Sequence, residues 1–301
     1  MRWMGWFGCA WVLVGCQAGS EPLLEAHRTG AGYWPENSSY GLKQAMNEGY
    51  DGIEVDVVLT RDLVPVLHHD PAVSTEHCRT ASGGAVPKDT LIRDLTYEEL
   101  REGFLCGGVP LEEFDSAVVV AEPIASFDEM LGLLRDVAPA GQLIHLDIKQ
   151  EPSLTLPPAV FAEAVLSRWY DAEVPQPMHV SSNLPDVLQA FREEGAVRGQ
   201  SVETTLIWPR FPVGASTSAV ALQREGAILS GKEDYVDLVT QAGADNIAIN
   251  WELASKHLLT MAHREGVGIM LWTPNDPAVM RRLARSWPVD VIITDYPGEA
   301  L

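Results

Sequence analysis

Eight short apolar, β-rich runs alternate with helical stretches along this 301-residue chain, and this alternation most restricts the folds open to it. The candidate strands cover 23–28, 53–59, 143–148, 178–182, 202–208, 246–250, 268–272 and 290–294. The candidate helices cover 39–48, 126–137, 158–170, 184–194, 254–265 and 276–285. Such an α/β pattern predicts a (β/α)8 TIM barrel. The 46% apolar composition is sufficient for one large core.

Two segments depart from the alternation. Residues 71–122, after the second strand, are too long for an ordinary loop and predict a cap inserted over the barrel mouth. Residues 209–244 carry a weaker pattern, with candidate helices at 217–226 and 232–242.

The second strand, GIEVDVVL, carries two carboxylates on one face. Glu54 and Asp56 are two residues apart and project together, whereas Ile53, Val55 and Val57 project to the other side. Adjacent carboxylates repel each other unless a cation or a shared proton neutralises them. A divalent metal ion that prefers oxygen ligands, Ca²⁺ or Mg²⁺, would fit this pair. The alternative is a pair that faces solvent.

The third strand, LIHLDIK, repeats the pattern with His145, Asp147 and Lys149 on one face. Asp147 is a candidate to complete a three-carboxylate site, and Lys149 to neutralise an anionic oxygen. The alternative is an Asp–Lys pair at the surface, which would contribute little to stability. We expect His145 to point into the barrel one layer deeper, as a buried hydrogen-bonding residue.

Two histidines flank these carboxylates in sequence and could supply acid–base chemistry. His27 follows the first strand, and His69 lies in the HHDP string after the second. His68 and Asp70 are interpreted as structural neighbours of His69. All these groups fall near the carboxyl ends of barrel strands, where barrel enzymes build their sites. The combination predicts a metal-assisted hydrolytic site.

The chain resembles the glycerophosphodiester phosphodiesterases over most of its length, from Glu25 to Pro297. The matching segments are AHR at 26–28, PENS at 35–38, GIEVDVVLT at 52–60, VPVLHHDP at 64–71, LDIK at 146–149, VSS at 180–182, LWTPNDP at 271–277 and VIITDYP at 291–297.

The resemblance implies a role for each candidate residue, and one divalent cation, Ca²⁺ or Mg²⁺, as cofactor. The implied roles are metal ligation by Glu54, Asp56 and Asp147, acid–base catalysis by His27 and His69, phosphate contact by Arg28 and Lys149, and lining of the alcohol pocket by Trp272. Glu36 is a candidate to orient His27 or to join the metal ligands.

Four positions depart from the family pattern. Thr29 separates His27–Arg28 from the usual glycine, Asp147 stands where many members have glutamate, Leu63 replaces a turn glycine, and Asn183 replaces an aromatic residue after the two serines. None of these changes removes a candidate catalytic group.

The resemblance implies hydrolysis of glycerophosphodiesters to glycerol 3-phosphate and an alcohol. The nucleophile is either water or a neighbouring hydroxyl of the substrate. One alternative is a phospholipase D-like hydrolase acting on lysophospholipids or sphingomyelin. Another is a non-catalytic binding lipoprotein, which the retention of every metal ligand and both histidines disfavours.

The N-terminus predicts export. Residues 1–15 carry one basic residue, Arg2, followed by an apolar run that suits a signal peptide but is too short to span a bilayer. The LVGC string resembles a bacterial lipobox, in which Cys16 becomes the lipidated first residue. The alternative is an ordinary secretory signal with a chance cysteine. We therefore expect residues 16–301 to form one barrel domain held at the outer membrane or in the periplasm by a lipid anchor.

Cysteine content and charge complete the sequence-based expectations. An exported chain permits a disulfide between Cys78 and Cys106, with two free buried thiols as the alternative. The net charge of −21 disfavours nucleic acid as a partner, and restricts membrane contact to the lipid anchor. The expected partner is a small glycerophosphodiester.

Overall fold

The computed structural model describes residues 21–208 and 235–299, and within them eight parallel strands close into a barrel. The barrel strands are β1 (Leu23–Ala26), β2 (Gly52–Leu59), β6 (Leu143–Ile148), β7 (Met178–Ser182), β8 (Glu203–Trp208), β9 (Asn246–Asn250), β10 (Gly268–Trp272) and β11 (Val291–Thr294). Closure occurs at β1, which pairs in parallel with both β2 and β11. The predicted (β/α)8 barrel is confirmed.

Helices follow most of the strands and cover the outside of the barrel. They are α1 (Ser39–Glu48), α3 (Phe127–Asp136), α4 (Pro158–Asp171), α5 (Pro185–Val197), α6 (Tyr235–Ala242), α7 (Lys256–Arg264) and α8 (Pro277–Ser286), with α2 (Tyr97–Gly103) in the segment after β2. Their starts follow local capping chemistry, because the Ser38, Ser126 and Asp276 side chains accept hydrogen bonds from the first turns of α1, α3 and α8.

The first strand ends two residues earlier than its sequence pattern indicates. It stops at Ala26, and His27–Thr29 form a short 3-10 turn. Arg28 and Thr29 both have positive φ, 47° and 71°, which ends the extended conformation. Thr29, where the family usually has glycine, is therefore held in a left-handed conformation that costs a β-branched residue energy.

The second strand continues into a hairpin before the chain leaves the barrel. Strand β3 (Pro65–Leu67) pairs antiparallel with β2, and Leu63 in the connecting turn has φ 61°. The turn thus keeps the left-handed conformation that glycine adopts cheaply, although a leucine occupies it.

The segment 71–122 contains its own small two-stranded sheet. Strands β4 (Cys78–Thr80) and β5 (Phe104–Cys106) pair antiparallel, and a disulfide joins Cys78 to Cys106. The segment also reaches the loop after β1, since the Val118 amide donates to the Tyr33 carbonyl over 2.8 Å.

Alternation along the strands separates the two sides of the barrel wall. Outward side chains such as Ile53 and Leu146 pack with the helix residues Phe127 and Phe161. Inward side chains are polar on β2, β6 and β7, apolar on β10 and β11, and mixed on β9, where the buried Asn246 and Asn250 flank Ala248. The inward apolar cluster consists of Ala248, Met270, Val291 and Ile293.

Some predictions fall on residues that the structure does not describe. The signal peptide, the lipidated Cys16 and the candidate helix 217–226 all lie outside the described ranges, whereas the candidate helix 232–242 corresponds to α6. Among residues 21–208 and 235–299, none of the helices has the length and apolar character that crossing a membrane requires.

We predict that replacing Cys78 and Cys106 together by alanine destabilises the chain without changing the barrel. The bond closes a loop with a sequence separation of 28 residues, so its loss should lower the free energy of unfolding by about 3–4 kcal/mol on the chain-entropy account. Denaturant unfolding of the oxidised wild type and of the double variant measures this difference. Equal midpoints would show that the bond makes no net contribution to stability.

Candidate active site

Three carboxylates converge at the carboxyl ends of β2 and β6. The parallel register places Asp56 opposite Asp147 and Glu54 opposite His145. Glu54, Asp56 and Asp147 each offer one oxygen within 4.8 Å of the others, and all three residues are buried. The structure therefore brings together the three residues that the sequence predicted as metal ligands.

Burial and mutual repulsion shift the pKa values of these carboxyl groups in opposite directions. Burial and the Asp56 charge raise the pKa of Glu54 to about 8. Burial also acts to raise the pKa of Asp56, but Lys149, His69 and Arg28 together hold it well below its ordinary value. The cluster thus combines one firmly ionised carboxylate with one that resists ionisation.

Two basic side chains stand among the carboxylates. Lys149 Nζ lies 2.9 Å from Asp56 Oδ1 and also donates to Asp147 Oδ2. Arg28 Nε lies 3.5 Å from Asp56 Oδ2, and the Arg28 amide donates to Glu54 Oε2 over 2.6 Å. Both candidate phosphate contacts are therefore at the carboxylate cluster.

The donor set fits a hard divalent cation. Carboxylate oxygens are the ligands that Ca²⁺ and Mg²⁺ prefer, and the three of them lie within one cluster. A cation there would also favour the ionised form of Glu54, whose pKa burial and Asp56 otherwise raise.

His27 is oriented by a carboxylate from the end of the last strand. Its Nδ1 lies 2.7 Å from Asp295 Oδ1, and Asn275 donates to Asp295 Oδ2 over 2.6 Å. Burial acts to lower the pKa of His27, but the charge and hydrogen bond of Asp295 outweigh it and raise the pKa above its ordinary value.

His69 has a similar partner but the opposite pKa shift. Its Nδ1 lies 2.9 Å from Asp70 Oδ1. Burial, together with the positive charges of Arg28 and Lys149, lowers the pKa of His69 below its ordinary value. In both histidines a carboxylate bonds Nδ1, which leaves Nε2 as the atom for proton transfer. The two rings therefore differ in proton affinity although each has a carboxylate partner.

The remaining predicted residues are placed as follows. One carboxylate oxygen of Glu36 accepts from Arg28 Nη1 over 2.9 Å and the other lies 3.7 Å from His77 Nε2, so Glu36 orients Arg28 rather than His27. Trp272 ends β10 and packs against the apolar interior cluster. His145 is buried beneath the carboxylates, as expected from its position.

Sequence reasoning missed three residues that position the site. Asn37, which received no role in the site as part of the PENS string at 35–38, donates to Asp56 Oδ2 over 2.7 Å and accepts from the Asp56 amide. Asp295 and Asn275 lay in matching strings but received no role. The sequence did contain a signal for Asp295, since this residue directly follows a buried strand. The acidic residues predicted on β2 and β6 have a similar position near their strand ends.

Comparison with known proteins identifies the family. The Glycerophosphoryl diester phosphodiesterase family matches the chain over residues 27–299. A Bacillus subtilis (strain 168) protein, provisionally named a glycerophosphodiester phosphodiesterase, is 24% identical over 273 residues, which are 90% of this chain and 93% of that protein. The glycerophosphodiester phosphodiesterase of Caldanaerobacter subterraneus is 33% identical over 127 residues, 42% of this chain and 45% of its own.

Solved structures share the barrel. That of a provisionally named glycerophosphoryl diester phosphodiesterase from Silicibacter pomeroyi DSS-3 has a TM-score of 0.77 at 24% identity, and covers 93% of this chain and 92% of its own. A phosphodiesterase from Oleispira antarctica, in complex with the product sn-glycerol-3-phosphate, has a TM-score of 0.69 at 18% identity and covers 93% and 95%.

Proposed function

The chain belongs to the glycerophosphoryl diester phosphodiesterase family, and we propose that it hydrolyses glycerophosphodiesters to glycerol 3-phosphate and an alcohol with one divalent cation, Ca²⁺ or Mg²⁺. The observation that carries the proposal is the pair of carboxylate-oriented histidines whose pKa values are shifted in opposite directions beside the carboxylate cluster. The product complex of the Oleispira antarctica phosphodiesterase supports the substrate class.

Glu54, Asp56 and Asp147 would hold the cation. When bound, the cation would supply positive charge that stabilises the transferring phosphoryl group. Lys149 and Arg28 already contact these carboxylates, so their cationic groups stand where a phosphate would meet them. The planar guanidinium of Arg28, held by Glu36, suits a bidentate contact with phosphate oxygens.

The opposite pKa shifts support one assignment of the acid and the base. His27, whose pKa is raised, keeps its proton to higher pH than an ordinary histidine and protonates the leaving alcohol. His69, whose pKa is lowered, loses its proton at lower pH and accepts the proton of the attacking hydroxyl. The attacking oxygen is that of water, which gives glycerol 3-phosphate directly, or that of the neighbouring glycerol hydroxyl, which gives a cyclic phosphodiester that water must then open. The same base serves the first attack in both cases.

Asp295 acts through His27 and is a positioning residue. Its carboxylate fixes which nitrogen of His27 faces the site and stabilises the imidazolium. Asn275 in turn fixes Asp295, since it donates to one carboxylate oxygen and its own Oδ1 accepts from the Asp295 amide over 3.0 Å.

We also propose that the chain is exported and lipid-anchored through Cys16. The N-terminal signal pattern with its LVGC string supports this, and the Cys78–Cys106 disulfide suits an oxidising compartment. An anchor would keep the enzyme near membrane lipids, whose deacylation yields glycerophosphodiesters.

We predict that the purified full chain releases glycerol 3-phosphate from glycerophosphocholine, and that EDTA abolishes this activity until Ca²⁺ or Mg²⁺ is added. His69→Ala should lower kcat by at least about 10²-fold, because the general base is lost. His257→Ala, at an exposed position on α7, is the matched control.

Lysophosphatidylcholine is the parallel substrate in this assay. Choline released from the lysolipid alone would transfer the assignment to the phospholipase D-like reaction. Full turnover in EDTA, or by His69→Ala, would contradict the proposed mechanism.

We predict a bell-shaped dependence of kcat/KM on pH whose alkaline limb depends on Asp295. Activity falls at low pH as His69 gains a proton, and at high pH as His27 loses one. Asp295→Asn removes the charge that raises the His27 pKa, so the alkaline limb should move to lower pH while the acid limb stays.

Asp186→Asn, at an exposed position in the first turn of α5, is the control for this profile. An acid limb that moves instead would exchange the roles of the two histidines. Superimposable profiles for wild type and Asp295→Asn would show that Asp295 has no influence on the proton of His27.

We predict that Cys16→Ser transfers the exported protein from the membrane fraction to the soluble fraction and abolishes its labelling by radioactive palmitate. Cys9→Ser is the matched control, because Cys9 would be removed with the signal peptide. Fractionation and labelling of both variants measure this. A Cys16→Ser protein that stays labelled would exclude the lipobox.

A further inference from the structure

A second cluster of ionisable residues lies inside the barrel below the carboxylate site. Glu25, His145 and His179 point inward from β1, β6 and β7 and are at most 2% exposed. His145 precedes Asp147 by two residues on one strand, which places it about 7 Å below Asp147 and opposite Glu54. The proposed hydrolysis uses none of these three side chains.

Both imidazole rings are held at Nε2 by a hydroxyl group. His145 Nε2 lies 2.7 Å from Ser181 Oγ, and His179 Nε2 lies 3.2 Å from Thr205 Oγ1. The rings stack with their centroids 3.9 Å apart. When the hydroxyls accept from Nε2–H, both Nδ1 atoms carry lone pairs, which is the usual arrangement of metal-ligating histidines.

The Nδ1 side of the rings holds the third member of the cluster and two atoms without partners. His145 Nδ1 lies 2.7 Å from Glu25 Oε2, whereas His179 Nδ1 and Glu25 Oε1 have no hydrogen-bond partner. Buried polar atoms are paired in nearly all native proteins, so two orphans in one cluster point to a missing ligand. Burial also raises the pKa of Glu25 to about 7, and a neighbouring cation would reverse this.

The backbone leaves room for the Glu25 side chain. Gly52 lies opposite Glu25 in the β1–β2 register, and a Cβ atom at position 52 would be 2.6 Å from Glu25 Cγ. Glycine is thus required there for Glu25 to turn into the barrel interior.

We propose that Glu25, His145 and His179 form a second, structural metal site for Zn²⁺, an ion of intermediate softness. Each residue offers one ligand atom within 4.8 Å of the others. Two imidazoles and one carboxylate suit Zn²⁺, whereas the all-oxygen cluster above them suits Ca²⁺ or Mg²⁺. The ion would tie β1, the strand at which the barrel closes, to β6 and β7.

Metal analysis of the refolded full chain tests this site. The chain is unfolded in denaturant with a chelator, refolded with Zn²⁺ in the presence of excess Mg²⁺, freed of unbound metal and analysed by mass spectrometry. We expect wild type and Asp147→Asn to retain the same buried zinc ion, and Glu25→Gln and His179→Gln to lose about one equivalent each. Circular dichroism verifies that every variant has refolded.

Three results would overturn the proposal. They are a wild type that retains no zinc, Glu25→Gln and His179→Gln variants that retain as much as wild type, and zinc lost in Asp147→Asn alone. The first would assign the orphaned atoms to buried water, and the third would assign the zinc to the upper carboxylates.

A measurement on wild type alone covers the case in which the variants do not fold. The chain is refolded with Co²⁺, and X-ray absorption at the cobalt edge counts the imidazole ligands. Two imidazoles on the ion would support the site. An ion surrounded by oxygen alone would contradict it.

Discussion

The parallel pairing of β2 with β6 is the contact on which the site depends. It sets Asp56 opposite Asp147 and Glu54 opposite His145, so buried acidic groups accumulate where the two strands end. Buried carboxylates are unstable without compensating charge, and Lys149 supplies part of it through contacts with both aspartates. Arg28 supplies more, through its guanidinium and its backbone amide. The basic side chains that suit phosphate are thus the same ones that stabilise the acidic cluster.

Barrel closure brings the first and last strands together at the candidate active site. Because β1 pairs with β11, His27 after the first strand meets Asp295 after the last, 268 residues away. Asn275, after β10, fixes Asp295 from the neighbouring strand. His69 depends on closure less, since its carboxylate partner is the next residue in sequence. The pKa of His27 therefore depends on the closed barrel, whereas the pKa of His69 depends on burial and on the neighbouring Arg28 and Lys149.

The sequence predicted those parts of the site whose placement depends on the residue pattern of a single strand. The two-residue period of β2 and β6 placed Glu54 with Asp56 on one face of the first strand and Asp147 on one face of the second. The contact between Asp295 and His27 requires the closed barrel, so no local pattern contains it. Glu36 bonds Arg28 because the loop after β1 turns sharply at left-handed residues, which also ended β1 earlier than predicted.

The barrel interior contains an apolar cluster on one side and a cluster of ionisable groups on the other, and the second of these needs a physical reason. Ala248, Met270 and Val291 belong to the apolar cluster. Glu25 and His179 fill the other at the same depth of burial, although an apolar layer there would avoid the cost of burying polar groups. The proposed cation and substrate would account for the upper carboxylates. Ion binding would likewise account for the lower cluster of Glu25, His145 and His179. The ion would pair with the atoms that have no hydrogen-bond partner, and it would cross-link three strands.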